Sequence, residues 1–146
     1  ISHTGGEAVV ASQVVFNREG PDTSEYRRLN IKEAAPGDDY GALRETLDRR
    51  FRKVSEGQGL TPDILLVDGG KGHLRIAREI VERLIPNQLC LATIAKGTGR
   101  RPSLDRVYGY RNHRMSILQP SQTSLHLMQE IRDEAHRFAL TGSVRL

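Results

Sequence analysis

Apolar residues recur along this chain in two periods, and the switches between them mark the expected elements. From Glu7 to Phe16, the residues Val9, Val10, Val14, Val15 and Phe16 are rich in β-branched side chains and predict a strand. Asn17 to Asp22, with Gly20-Pro21 inside it, predicts a turn. Glu25 to Ile31 alternates as a further strand, and Ala35-Pro36-Gly37-Asp38 breaks the sheet. From Asp38 onward, Tyr40, Leu43, Leu47, Phe51 and Val54 follow helical spacing, with Asp38 or Asp39 as the N-cap.

The stretch Asp63-Ile64-Leu65-Leu66-Val67-Asp68-Gly69-Gly70-Lys71-Gly72 fits neither period. Four apolar residues in succession predict a short strand covered on both faces, ending on a carboxylate and breaking at two glycines before a helix. Leu74, Ala77, Ile80, Val81 and Leu84 mark that helix's inner face, and Pro86 stops it. Leu89 to Ala95 reads as another buried strand, with Cys90 as a core thiol. Lys96 to Pro102 is a basic, glycine-containing loop. Arg106 to Tyr110 and Arg114 to Leu118 predict a hairpin around Asn112 and His113. Pro120 and Ser121 open a last helix with Leu125, Met128, Ile131, Ala135 and Phe138 facing inward, ended by Thr141-Gly142. Leading antiparallel strands followed by alternating strands and helices predict an α/β fold, a mixed sheet flanked by helices. That order suits a ribonuclease-H-like layout.

Composition narrows the class. The 146 residues fit a single domain over 1–146 with a real core. The 22 Lys and Arg against 18 Asp and Glu leave a net charge of +4, which permits a polyanionic partner. One cysteine cannot form an internal disulfide, so a reducing, cytoplasmic setting is expected. No apolar run is long enough for a membrane helix, and no signal peptide is visible. The chain opens on Ile1 rather than Met, so it is expected to be a piece of a longer protein with its first strand cut short.

Three groups are candidates for chemistry. Asp68 falls at the carboxyl end of its strand, where open α/β sheets put their chemistry; a nearly buried carboxylate there calls for a positive partner such as a divalent cation. The plainer role is to cap the following helix. His136 shares one side of the last helix with Leu125, Gln129 and Arg132, beside the apolar stripe; it could ligate a metal, shuttle a proton or simply pack. Asp38 and Asp39 open the first helix, where capping explains one and the helix dipole favours both. Arg27, Arg28, Lys71, Lys96, Arg100, Arg101 and Arg106, with Arg132 and Arg137, form a basic set suited to phosphate contacts or to a solvated surface. With aromatics at 5% and no Trp, backbone binding is favoured over base stacking. No phosphate-binding loop of the GxxxxGK[ST] kind, GxSxG, HExxH or CxxC is present.

Several blocks together resemble the C-terminal nuclease domain of the UvrC family, the incision subunit of bacterial nucleotide excision repair. They are Ile1-Ser2-His3-Thr4 with Gly6-Glu7, Val10-Ala11-Ser12, Val14-Val15-Phe16, Ser24 to Arg28, Pro36 to Tyr40, Asp68 to Gly72, Ala95-Lys96-Gly97 and Ile131 to Phe138, in order over nearly the whole chain. The resemblance implies a ribonuclease-H-like endonuclease that cuts damaged duplex DNA 5′ to the lesion with a divalent cation, Mg2+ or Mn2+. It implies metal ligation by Asp68 and His136 and a catalytic role for Asp39. It also implies UvrB as a partner that marks the damage, reached through regions outside these residues. The family's first metal-binding Asp directly precedes the position of Ile1, so this fragment is expected to bind metal weakly and cut little or not at all. Gly142 to Leu146 also departs from the basic run the family carries after its last helix.

In that mechanism Lys71 and Lys96, placed after strand ends, contact phosphates, and Arg28 and Arg132 join them on DNA. Two other readings compete: a non-catalytic ribonuclease-H-like DNA-binding or scaffold module, and a metal-independent enzyme using Asp68 as a general base.

Overall fold

The computed structural model of the chain describes residues 2–4, 10–97, 99, 101, 105–111 and 113–144, with the backbone alone at 2–4, 111 and 140–144. Ile1, Gly6, Glu7 to Val9 of the first expected strand, Thr98, Arg100 and Pro102 of the basic loop, the turn residue Asn112, and Arg145 and Leu146 of the tail lie outside them.

The chain begins with β1 (Ser2–Thr4), β2 (Val10–Gln13), β3 (Phe16–Asn17), β4 (Gly20–Pro21), a single 3-10 turn (Thr23–Glu25) and β5 (Arg27–Asn30). β1, β2 and β5 pair antiparallel in that order. The stretch expected as a plain turn holds a small ribbon, β3 against β4. It is closed by Arg18-Glu19 with Gly20 at φ 118, a backbone angle that glycine adopts freely.

Helix α1 (Asp39–Ser55) starts where Asp38 accepts a hydrogen bond from the Gly41 N–H at 2.9 Å, the capping role expected of it. Leu43, Leu47 and Phe51 are buried as their spacing predicts, while Tyr40 is half exposed. β6 (Ile64–Asp68) leads into α2 (Lys71–Leu84), whose C-cap is Ile85, just before Pro86. β7 (Cys90–Ala95), β8 (Arg106–Arg111) and β9 (Arg114–Leu118) follow, with His113 at φ 65 in the hairpin turn. Helix α3 (Gln122–Val144) is capped by Ser121, whose Oγ accepts from the Ser124 N–H at 3.1 Å. It runs through Thr141-Gly142, where an end was expected; a glycine inside a helix costs only about 1 kcal/mol, so it does not by itself end one.

β6 and β7 pair parallel, and β7, β8 and β9 pair antiparallel, giving a four-stranded mixed sheet. Side chains alternate across it. Leu65 and Val67 face a core built with Leu43, Leu47 and Phe51 of α1 and Ile76, Ala77 and Ile80 of α2. Leu66 faces the other way, with Ala92, Ile94, Val107 and Leu118, against Leu125 and Met128 of α3. This is the expected α/β architecture with helices on both faces. Among the described residues, however, the leading strands and the later four form separate hydrogen-bonded sheets. Helix α3 spans both: the buried Ser12 Oγ donates to the Ala135 carbonyl at 2.8 Å, and the Tyr26 hydroxyl donates to Glu134 at 2.7 Å.

One core assignment is corrected. Cys90 is exposed. It is the first residue of β7, opposite Ile64, which is itself 60% exposed, so the apolar run overshoots the part of the sheet that the helices cover.

Candidate active site

The alternation that sends Leu66 toward α3 sends Asp68, two residues on, to the same face. There the Asp68 Oδ2 lies 2.5 Å from the His136 Nε2. The two side chains are 25% and 43% exposed, so the pair sits at the surface edge of the sheet and is open to a ligand. Asp68 does not cap α2. That helix begins from Gly70, whose N–H donates to the His73 Nδ1 at 3.3 Å. Gly69 takes φ 150, and its N–H donates to the Ile94 carbonyl at 3.0 Å, which ties the end of β6 to β7.

His136 is held from the leading sheet by its neighbours on α3. Ala135 accepts from Ser12, Glu134 accepts from Tyr26, and the Phe138 carbonyl accepts from Arg28 at 3.3 Å. The Arg28 guanidinium also lies 3.7 Å from the Phe138 ring centroid and is otherwise exposed. Burial raises the Tyr26 phenol, reinforced by its hydrogen bond to Glu134, to a pKa of about 12.

The other expected residues divide. Lys71 is exposed in the first turn of α2, with its Nζ 5.6 Å from the Tyr108 ring centroid. Lys96 is exposed just past the end of β7. Both stand on the Asp68 edge. Asp39 is the exposed first residue of α1; the α1 and α2 starts meet there through Tyr40 and His73, whose rings are 4.7 Å apart. Asp39 does not complete a cluster with Asp68 and His136. Among the described residues, no three His, Cys, Asp or Glu side chains gather as a metal site.

Arg132 is a correction. It is buried, with its side chain 8% exposed, and its Nη1 donates to the Asp105 Oδ2 at 3.0 Å. A guanidinium enclosed in this way does not reach out to a phosphate, so it is not carried forward as a DNA contact. The type of the residue pointed to the surface, and the carboxylate that allows its burial was not anticipated.

That carboxylate, Asp105, is the residue sequence reasoning missed. Its side chain is 3% exposed and accepts from the Gly97 N–H at 2.8 Å, the Gln129 Nε2 at 3.0 Å and Arg132. Burial alone would raise its pKa, but the Gly97 amide, Gln129 and Arg132 outweigh that and hold it below the ordinary carboxylate value. One signal was available: Asp105 is the lone carboxylate between Glu82 and Glu130, in a basic stretch.

The donor chemistry of the pair fits a divalent cation. A carboxylate oxygen suits Mg2+ or Mn2+, an imidazole nitrogen leans toward Mn2+, and Mg2+ sites commonly use one or two carboxylates with water and substrate phosphate for the rest.

Comparison with known proteins bears on this edge. The model of a family described as the UvrC RNase H endonuclease domain matches residues 1–140. The chain is 52% identical over 142 residues to the UvrABC system protein C of Ectopseudomonas mendocina, 51% to that of Coxiella burnetii and 49% to that of Pseudomonas putida. Each match covers 97% of this chain and 23% of the relative, so the chain spans about a quarter of the length of these relatives.

Proposed function

This chain belongs to the UvrC RNase H endonuclease domain family, and on that footing we propose that, as part of the longer protein, it hydrolyses phosphodiester bonds in damaged duplex DNA, 5′ to the lesion, with Mg2+ or Mn2+. The observation that carries the reading is the contact between Asp68 and His136 at the carboxyl edge of β6. Asp68 and His136 would hold the cation. When bound, it would supply Lewis-acid stabilisation of the phosphoryl oxygens and a more acidic water. His136 can alternatively move a proton at its Nε2 to the leaving oxygen. Asp39, exposed at the start of α1, would orient water or substrate rather than hold the cation.

Lys71 and Lys96 flank the pair and would bind backbone phosphates, which position the duplex without reading sequence. Arg28, held beside Phe138, would extend that contact past the end of α3. Reading backbone alone leaves the choice of site to a partner that marks damage, as UvrB does in this reading. No helix among the described residues is long and apolar enough to cross a membrane, which is compatible with the cytoplasmic setting we propose.

A second reading, a non-catalytic DNA-binding module, draws on the absence of a three-ligand cluster among the described residues. Nicking of a lesion-bearing duplex by the full-length protein separates the two. Cleavage that requires Mg2+ or Mn2+ and is lost in Asp68→Ala and His136→Ala supports the nuclease. Binding with no cleavage under any metal supports the module, and cleavage that survives exhaustive chelation removes the metal from the mechanism.

A further inference from the structure

We infer that Asp105 is a positioning residue for the proposed reaction: its buried carboxylate locks α3 to the loop after β7 and so holds His136 against Asp68. The inference rests on the reading of Asp68 and His136 as the working pair.

Four short links form a closed circuit. The Gly69 N–H, next to Asp68, bonds the Ile94 carbonyl of β7 at 3.0 Å. Three residues on, the Gly97 N–H bonds the Asp105 Oδ1 at 2.8 Å. The Asp105 Oδ2 takes Arg132 at 3.0 Å, together with Gln129 at 3.0 Å. One turn further along α3, His136 returns to Asp68 at 2.5 Å. Gln129, Arg132 and His136 follow the three- and four-residue spacing that puts side chains on one helix face. Two of them gripped by one carboxylate therefore fix both the rotation and the axial position of the third.

The ion pair is a weak candidate for plain stabilisation. A buried pair gains little over apolar side chains of similar volume, because desolvation offsets the attraction. What apolar replacements cannot reproduce is direction. Three hydrogen bonds converging on two oxygens admit one placement of the helix, whereas methyl groups admit several. Leu125 and Met128 pack α3 on the four-stranded sheet in its first turns, and Ser12, Tyr26 and Arg28 hold the helix around His136 from the leading sheet; Asp105 ties the same helix to the loop after β7, beside Asp68.

The test uses the full-length protein and the double variant Asp105→Leu/Arg132→Met, which removes the pair without stranding a buried charge. Three quantities are read: the thermal midpoint, kcat and KM for duplex nicking, and the nitrogen resonances of the His136 imidazole in histidine-labelled protein, assigned with His136→Gln. The expected result is a folded variant with KM nearly unchanged, kcat lowered by about tenfold or more, and shifted His136 resonances. Unshifted resonances in the folded variant, or unchanged kcat, overturn the inference. Should the double variant fail to fold, Asp105→Glu decides in its place. It keeps the charge but lengthens the arm, so shifted His136 resonances support the brace and unshifted ones overturn it. Failure of the nuclease reading looks different: the unaltered protein then shows no metal-dependent nicking, or His136→Gln nicks as fast as the unaltered protein, while the imidazole resonances still decide the role of Asp105.

Discussion

The His136 Nε2 lies 2.5 Å from the Asp68 Oδ2, although 68 positions separate them in the chain. Two local rules bring them together. Strand alternation puts Asp68 on the face of β6 that Leu66 shares with α3. Helical spacing puts His136 on the side of α3 that also carries Arg132, which Asp105 anchors. Neither rule involves the other, and the site exists where they intersect.

The turn after Asp68 depends on a residue without a side chain. Gly69 sits at φ 150, and a Cβ there would lie 2.3 Å from the His73 Cγ. Gly69→Ala is expected to lower stability by about 1–3 kcal/mol and to displace Asp68. Urea unfolding measures the first effect, and metal-dependent nicking at a temperature where the variant is folded measures the second.

Core position and strand-end position predict opposite outcomes for Phe51 and Cys90, two residues whose sequence patterns both pointed to the core. Phe51 is fully buried between α1, α2 and the sheet, so Phe51→Ala is expected to cost about 3–5 kcal/mol. Cys90 is exposed, so Cys90→Ser is expected to stay within about 0.5 kcal/mol of the parent. A thiol reagent should also modify Cys90 in the native state. Denaturant titration and mass spectrometry check the pair.

Much of this architecture was legible beforehand. The helix faces of α1 and α2 follow from apolar spacing, the Asp38 cap from its residue type, and the strand ending on Asp68 from an unbroken apolar run. The errors share a cause. Arg132 and Asp105 acquire their meaning only from each other, across 27 positions, and Gly97 and Gln129 join them from 8 and 24 positions away. Residue type alone assigned the arginine to the surface. Cys90 was misplaced because an apolar run marks a strand but not how far the covering helices extend along it. The functional pairing of Asp68 with His136 was reached by family resemblance; spacing alone left each with a plainer role.

Alkaline titration should expose the Tyr26–Glu134 contact. Burial and the Glu134 hydrogen bond hold the folded phenol's proton to about pH 12, whereas an unfolded tyrosine loses it near about pH 10. The resulting stabilisation is full below about pH 10 and is lost as pH rises from there to about 12. Tyr26→Phe should flatten that limb of the stability curve. Unfolding free energy measured between pH 9 and pH 12 (roughly the span over which the phenol titrates) checks it.

Exposed and enclosed cations should differ in their effect on DNA binding. Lys96→Ala is expected to weaken binding across all sequences and reduce the salt slope by about one unit. Arg132→Met is expected to leave the salt slope unchanged while lowering the thermal midpoint, since it strands the buried Asp105 carboxylate. Duplex affinity against salt concentration distinguishes them.

The central claim is that Asp68 and His136 hold a divalent cation together. Its most direct test is Mn2+ binding by the full-length protein, followed through loss of the free-ion electron paramagnetic resonance signal, beside Asp68→Asn and His136→Ala. The account predicts one class of Mn2+ site that each substitution weakens by about tenfold or more. Equal Mn2+ binding by all three proteins would contradict it.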